Sequence, residues 1–276
     1  MLRMQPWRLL PVAVGFIFSL LSVFLWRGLL LEERAQLQRQ TQLEADDVMV
    51  AVRERTRLRM ARLNWMAKRW EQWGPFPQEQ WEYDARQLME PGGFESIEMV
   101  EGNGRVRWIV AGTGEAAQPE SERTVLPAEL EAMRQAGEQR ELVASAIYEL
   151  PNGKPGFRLY APCFRNNELE GYMVAVFSLP ELLPKVLEGV GVASGYQVVA
   201  YANGERVYVR HPGDEAGYEW IEEREADLRG VKVRLEVWPS AEVLAASNTI
   251  LPELALGMGL GLSWLLGLAV GLGQRA

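Results

Sequence analysis

Two long stretches of this chain carry no charge. Leu9 to Trp26 is an 18-residue apolar run and Leu254 to Gln274 a 21-residue one, and about 20 such residues in a helix cross roughly 30 Å of hydrocarbon. Between them the pattern changes twice. From Leu31 to Trp73 there is neither Pro nor Gly, and Val48, Val52, Met60, Leu63, Met66, Trp70 and Trp73 are mostly three or four apart, the spacing of one helix face. Joined to the first apolar run, this predicts one helix of about 65 residues, ended by Gly74-Pro75. After a second helix over Gln78 to Glu90, apolar and polar positions alternate. Asn103-Gly104 separates Ser96–Glu101 from Arg105–Val110, Asn152-Gly153 separates Leu142–Leu150 from Gly156–Phe164, and Asn203-Gly204 separates Tyr196–Tyr201 from Glu205–Arg210. Asn-Gly between alternating runs signals a two-residue hairpin turn whose central residues both take positive φ.

Asn166-Asn167 supplies a further turn before Glu170–Ser178, and Arg229-Gly230 joins strands near Trp220–Leu228 and Val231–Trp238. Helices at Pro127–Ala136 and Leu179–Leu187 interrupt the strands, and one opening at Pro239-Ser240 runs into the second apolar stretch, broken only at Pro252. The expected fold is α+β, a PAS-like sensor with a long N-terminal helix and a transmembrane helix at each end. Its parts are an anchor (1–31), a stalk helix (32–74), a larger distal lobe (75–180), a smaller membrane-proximal lobe (181–240), and an exit helix with the second span (241–276).

A cleavable signal has an apolar core of about 7 to 15 residues followed by a small-x-small site. Here Phe24-Leu25-Trp26-Arg27 follows the core, so the first run is expected to stay as an anchor. Arg3 and Arg8 precede it and Arg275 follows the second run, which assigns both ends to the cytoplasm. Residues 32–249 then lie in the periplasm or outside the cell, held by two spans of the inner membrane. The second run places Ala255, Gly259, Ser263, Gly267 and Gly271 four apart, a narrow stripe suited to a dimer seam. The chain stops three residues after Gly273, so a continuation past Ala276, or a separate signalling partner, is expected.

Composition removes several functions. The 276 residues include 1 Cys and 1 His, so neither an intrachain disulfide nor a Cys/His zinc cluster can form. No phosphate-loop, His-Glu-x-x-His or Gly-x-Ser-x-Gly string occurs, so no catalytic residue, metal or cofactor is assigned. Residues 32–249 carry 36 acidic and 25 basic residues, which with the topology argues against nucleic acid. A local basic run (Arg53, Arg55, Arg57, Arg59, Arg62, Lys68, Arg69) opposes only Glu54 and reads as a solvated helix face. His211 reads as a loop residue and Cys163 as a small buried apolar side chain.

Gly104-Arg105-Val106-Arg107-Trp108-Ile109-Val110, Ala132 to Gly137, Gly156 to Phe164, and Glu170 to Phe177 resemble the CHASE domain, an extracellular sensor. Val237-Trp238-Pro239-Ser240 through Pro252 and Gly259 to Ser263 resemble the exit of bacterial CHASE receptors into their second membrane helix. The resemblance implies a homodimeric receptor with a small-molecule site in the distal lobe and a histidine kinase or diguanylate cyclase output behind the second span, as in two-component signalling. It departs from the family after Val110, where Ala111-Gly112 replaces the usual Pro. It also has no counterpart of the carboxylate with which cytokinin-binding members hold their ligand, so a plant hormone is not implied.

On the strand around Tyr160, alternation puts Phe157, Leu159 and Ala161 on one side and Arg158 and Tyr160 on the other. Arg158, Tyr160, Glu98 and Trp108 are the candidate ligand-binding residues, a guanidinium and a phenol facing a shared hollow. The competing reading is an internal Arg158–Glu98 ion pair or an exposed sheet face. The function expected is a non-enzymatic sensing module whose partners are an unidentified small molecule, the lipid bilayer and a second copy. The alternative is a structural membrane protein that recognises another envelope protein or a cell-wall component.

Overall fold

The computed structural model describes residues 10–90, 93–112, 126–188, 195–211, 213 and 215–273. Arg3, Arg8 and Arg275, which carry the orientation argument, lie outside them. Helix α1 runs unbroken over Leu10–Trp73. It stops where Gly74 takes φ 82° and its N–H donates to Trp70 O at 2.9 Å, a left-handed cap that Pro75 cannot extend. Helix α2 (Gln78–Met89) turns Trp81, Ala85 and Leu88 inward.

The larger sheet holds β1 (Ser96–Glu101), β2 (Val106–Ala111), β3 (Val143–Ala144), β4 (Tyr148–Glu149), β5 (Pro155–Arg165) and β6 (Glu168–Ser178), with α3 (Pro127–Gln139) inserted after β2. Its order is β2-β1-β6-β5-β3, with β4 also on β5. Helix α4 (Leu179–Leu187) leads to a smaller sheet of β7 (Tyr196–Ala202), β8 (Glu205–Val209), β9 (Glu222–Leu228) and β10 (Val231–Pro239), ordered β8-β7-β10-β9. All pairings are antiparallel. One apolar core joins α1, α2, α4 and the inner faces of both sheets, built on Leu63, Trp70, Trp81, Phe157, Met173, Val198 and Val233. Burial of such side chains, at about 1.5–3 kcal/mol each, makes α1 the spine of both lobes. A second cluster (Val100, Ala132, Met133, Ala136, Tyr160, Tyr172, Val174) fills the space between the larger sheet and α3.

Only one of the three Asn-Gly turns has the expected form. At Asn203-Gly204 both residues take positive φ, 53° and 82°. At Gly104 and Gly153 only the glycine does. There Gly104 N donates to Glu101 O at 2.9 Å and Gly153 N to Leu150 O at 2.8 Å, and Asn103 and Asn152 accept from the backbone two residues on. These are three-residue loops closed by a glycine bulge. The strand expected over Leu142–Leu150 is likewise split into β3 and β4. Between them the Ser145 hydroxyl, rather than a ladder carbonyl, accepts the Arg158 N–H at 3.0 Å.

The basic run on α1 is a packing surface as much as a solvated one. Arg55 donates to Val186 O at 3.0 Å and to Glu188 O, capping the end of α4. Arg59 is buried, and Arg69 pairs with Asp84 at 2.9 Å. Lower down, α1 meets β9 through polar contacts: Gln38 and Gln42 donate to Glu222, and Arg224 Nε lies 2.7 Å from Asp46 Oδ1. Cys163 is buried and His211 is exposed.

Beyond β10, Ser240 caps a short helix α5 (Ala241–Ser247), accepting from Val243 N at 3.4 Å. The expected continuous exit helix is interrupted at 248–250, earlier than Pro252 itself. Thr249 there bonds Glu33 of α1, and Pro252 falls in the first turn of α6 (Leu251–Gly273), the helix position it tolerates best. The helical stretches Pro11–Trp73 and Ala241–Gly273 each contain a window long and apolar enough to cross a membrane, with mean hydropathy 2.0 and 1.8. They pack on each other. A Cβ on Gly259 would strike Ser22, one on Gly267 would lie 3.2 Å from Pro11 O, and Gly271 also faces Pro11. Ser263 is buried and Ala255 half-buried on the same stripe. The small residues expected to seat a second copy face α1 of the same chain in this structure, the two apolar helices lying side by side.

Candidate ligand site

The face of the larger sheet turned away from α1 is charged beneath α3. Glu98 comes from β1, Arg158 and Tyr160 from β5, and the central strand β6 lies between them. Arg158 Nη1 lies 2.5 Å from Glu98 Oε2, and its Nε lies 2.9 Å from Glu129 Oε1 of α3. Nε also donates to the Tyr148 hydroxyl at 2.7 Å, which in turn donates to Glu129 Oε1 at 2.6 Å. Ser96 donates to the other oxygen of Glu98 at 3.1 Å. Glu129 Oε2 accepts from Leu126 N at 2.9 Å, so one carboxylate both caps α3 and holds the guanidinium.

All three charged residues are buried, with one positive group between two carboxylates. Burial works against the charged Arg158, but Glu98 foremost, with Tyr148, Tyr160 and Glu129, outweighs it and raises its pKa above the ordinary guanidinium value. Burial likewise raises the Tyr148 phenol. Tyr160 is buried and meets Tyr172 edge-on at 6.0 Å, and the Tyr172 hydroxyl donates to Met133 O at 2.8 Å.

Three of the four candidate residues thus share one face, and the internal ion pair is formed. Trp108 does not join them. In the β1–β2 hairpin Glu98 pairs with Ile109, and Trp108 with Met99. Paired residues point the same way, so the one-residue offset sends Trp108 to the opposite face. There it packs 6.0 Å from Trp70 and 5.6 Å from Trp81. Two residues of the cluster, Glu129 and Tyr148, were not anticipated. The one available signal was Glu129 in the first turn after Pro127, which reads equally as a helix-terminus acid.

A groove of about 580 Å³ lies elsewhere, between α1 and α6, lined by Gly15, Phe16, Ser19, Trp264 and Gly267. It opens at the level of the apolar windows and has an apolar lining suited to hydrocarbon.

No family model matches the chain, and no curated protein does. Solved structures do match. An extracellular ligand binding receptor from Desulfohalobium retbaense aligns with TM-score 0.51 and 13% identity over 73% of this chain and 40% of that one, so this chain spans well under half of that receptor's length. The ligand-binding domain of the Campylobacter jejuni chemoreceptor Tlp3, in complex with L-norvaline, gives TM-score 0.52 and 10% identity over 77% of this chain and 93% of that one. The same domain with 4-methylisoleucine gives 0.53 and 8%, over 77% and 93%. The chain has the α+β fold of extracellular ligand-binding sensor domains of chemoreceptors. At such identities the likeness is one of fold, and the CHASE family in particular is not shown by it.

Proposed function

We propose that the chain is the extracytoplasmic small-molecule-sensing part of a transmembrane receptor, passing ligand occupancy to a cytoplasmic output through α6. The observation that carries the reading is the buried Glu98–Arg158–Glu129 cluster on the α3 face of the larger sheet, in a fold shared with extracellular sensor domains. Two carboxylates with one guanidinium suit a small zwitterion, an α-amino acid being the simplest. Its ammonium would meet Glu98 or Glu129, and its carboxylate the Arg158 guanidinium. The Tlp3 complexes with L-norvaline and 4-methylisoleucine support that class.

The finer parts of the proposal are a two-span inner-membrane topology with residues 32–249 outside, a homodimer, and an output of histidine kinase or diguanylate cyclase type, as the CHASE resemblance implies. The reading assigns this chain no reaction. Ligand would favour one arrangement of sheet and α3, and β10, α5 and α6 would carry the preference inward as a population shift of about 1–3 kcal/mol. The test is thermal unfolding of the full chain in detergent against a panel of L-amino acids. A saturable rise in midpoint for at least one, reduced in Tyr148→Phe, is expected; no rise for any amino acid would sink the ligand class. A second reading, docking of another envelope protein, draws on the exposed Trp65 and Trp73 of α1 and predicts no saturable small-molecule response.

A further inference from the structure

The smaller sheet repeats the plan of the larger one, with its last strand, β10, beside its first, β7. Its face away from α1 carries three adjoining cross-strand pairs: Gln197 with Trp238, Val199 with Glu236, and Tyr201 with Arg234. Gln197, Val199, Glu236 and Trp238 are all buried, although Glu223 and Glu225 of β9 on the same face are exposed. Above Trp238 lies the 3-10 turn Tyr218–Trp220. The Tyr218 ring meets Trp238 at 5.3 Å and 80°, and Gly217 approaches the Pro239 carbonyl too closely for any Cβ.

The polar groups here are unequally answered. Glu236 is held by Arg234 Nη1 at 2.7 Å, and Arg234 lies 4.4 Å over the Tyr201 ring. Gln197 Oε1 accepts from His211 N at 3.2 Å. Among the described residues Gln197 Nε2 has no acceptor, and the residue is only 1% exposed. A buried amide donor without a partner is costly, and an oxygen arriving from outside would satisfy it.

We propose that this face of the smaller lobe is a second ligand site, for a small organic carboxylate or amide whose oxygen accepts from Gln197 Nε2 and whose carbon body lies against Val199 and Trp238 beneath Tyr218. Arg234 and Glu236 neutralise each other, so the orphan donor, not net charge, sets the chemistry. The site is independent of the larger lobe's cluster and nearer the membrane. Trp238 directly precedes Pro239 and the Ser240 cap of α5, so an occupant presses on the strand that leads into α6.

The full chain in lipid nanodiscs, labelled with 5-fluorotryptophan, is titrated with sodium benzoate and with benzamide, and Trp238→Phe assigns the Trp238 resonance. The expected result is a saturable shift of that resonance by at least one probe. Affinity falls about tenfold in Gln197→Leu, benzoate binding is lost in Gln197→Glu, and Tyr148→Phe in the larger lobe changes nothing. The buried Trp70 and Trp81 resonances report folding, and Tyr218→Ala, at an exposed residue, replaces any Gln197 variant that fails to fold and is expected to weaken binding likewise. No saturable shift with either probe, or a shift indifferent to every folded variant, overturns the proposal.

Discussion

The Arg158 guanidinium spans the central strand of the larger sheet to reach Glu98, Nη1 to Oε2 at 2.5 Å, with both side chains shielded from solvent. Two carboxylates depend on that one cation. Arg158→Met leaves Glu98 and Glu129 buried without their partner and is expected to destabilise the lobe by about 3–5 kcal/mol. Tyr148→Phe removes a single hydroxyl from the cluster and should cost about 1 kcal/mol. Replacing Glu98, Glu129 and Arg158 together by apolar residues should cost far less than Arg158→Met alone. Urea unfolding of the detergent-solubilised chain ranks the three, and equal losses would contradict the cluster as described.

Between α1 and α6, Gly259 faces Ser22 with no room for a side chain, whereas Gly261 has nothing within 4 Å. Gly259→Val should force α1 and α6 apart and cost about 1–3 kcal/mol, while Gly261→Val should be close to neutral. Disulfide trapping between cysteines at 15 and 263 reads the separation directly, falling in the first variant only.

Ser240 links β10 to the exit helix: its hydroxyl caps α5 at Val243 N. Ser240→Ala should cost about 1 kcal/mol. Amide exchange should rise over 241–247 and stay unchanged in β1, β5 and β6. A uniform rise would show that α5 has no separate stability.

These elements also show what the sequence could tell. The end of α1 at Gly74, the strands around Asn203-Gly204 and the helix over Leu179–Leu187 follow from local chemistry alone, and all were legible. Face assignment was legible along β5, where Arg158 and Tyr160 alternate with Phe157 and Leu159, because alternation is a property of one strand. It failed for Trp108, whose face depends on pairing register between two strands. Glu129 and Tyr148 escaped for the same reason at longer range, since only the docking of α3 and β4 on β5 brings them to Arg158. Arg55 reads as a charged surface because its partners on α4 are more than a hundred residues away.

Burial raises the Cys163 thiol from 9.0 to about 12. The folded protein therefore keeps a proton that the unfolded chain loses above about pH 9. The stabilisation from this group is complete below that pH and disappears as pH rises toward 12. Native protein at pH 8 should resist maleimide, reacting only on unfolding, and Cys163→Ala should flatten the fall in stability between pH 9 and 10. Fast native labelling would contradict the burial of this strand.

That protection allows a direct test of where the body of the protein resides, since Cys163 is the chain's 1 cysteine. Gln139, exposed at the end of α3, is replaced by cysteine, and intact spheroplasts are treated with a membrane-impermeant maleimide. Labelling of Gln139→Cys before lysis, with none in the parent chain, is the result expected of a sensor that meets its ligand outside the cell. Labelling only after lysis would place the lobes in the cytosol and contradict the account.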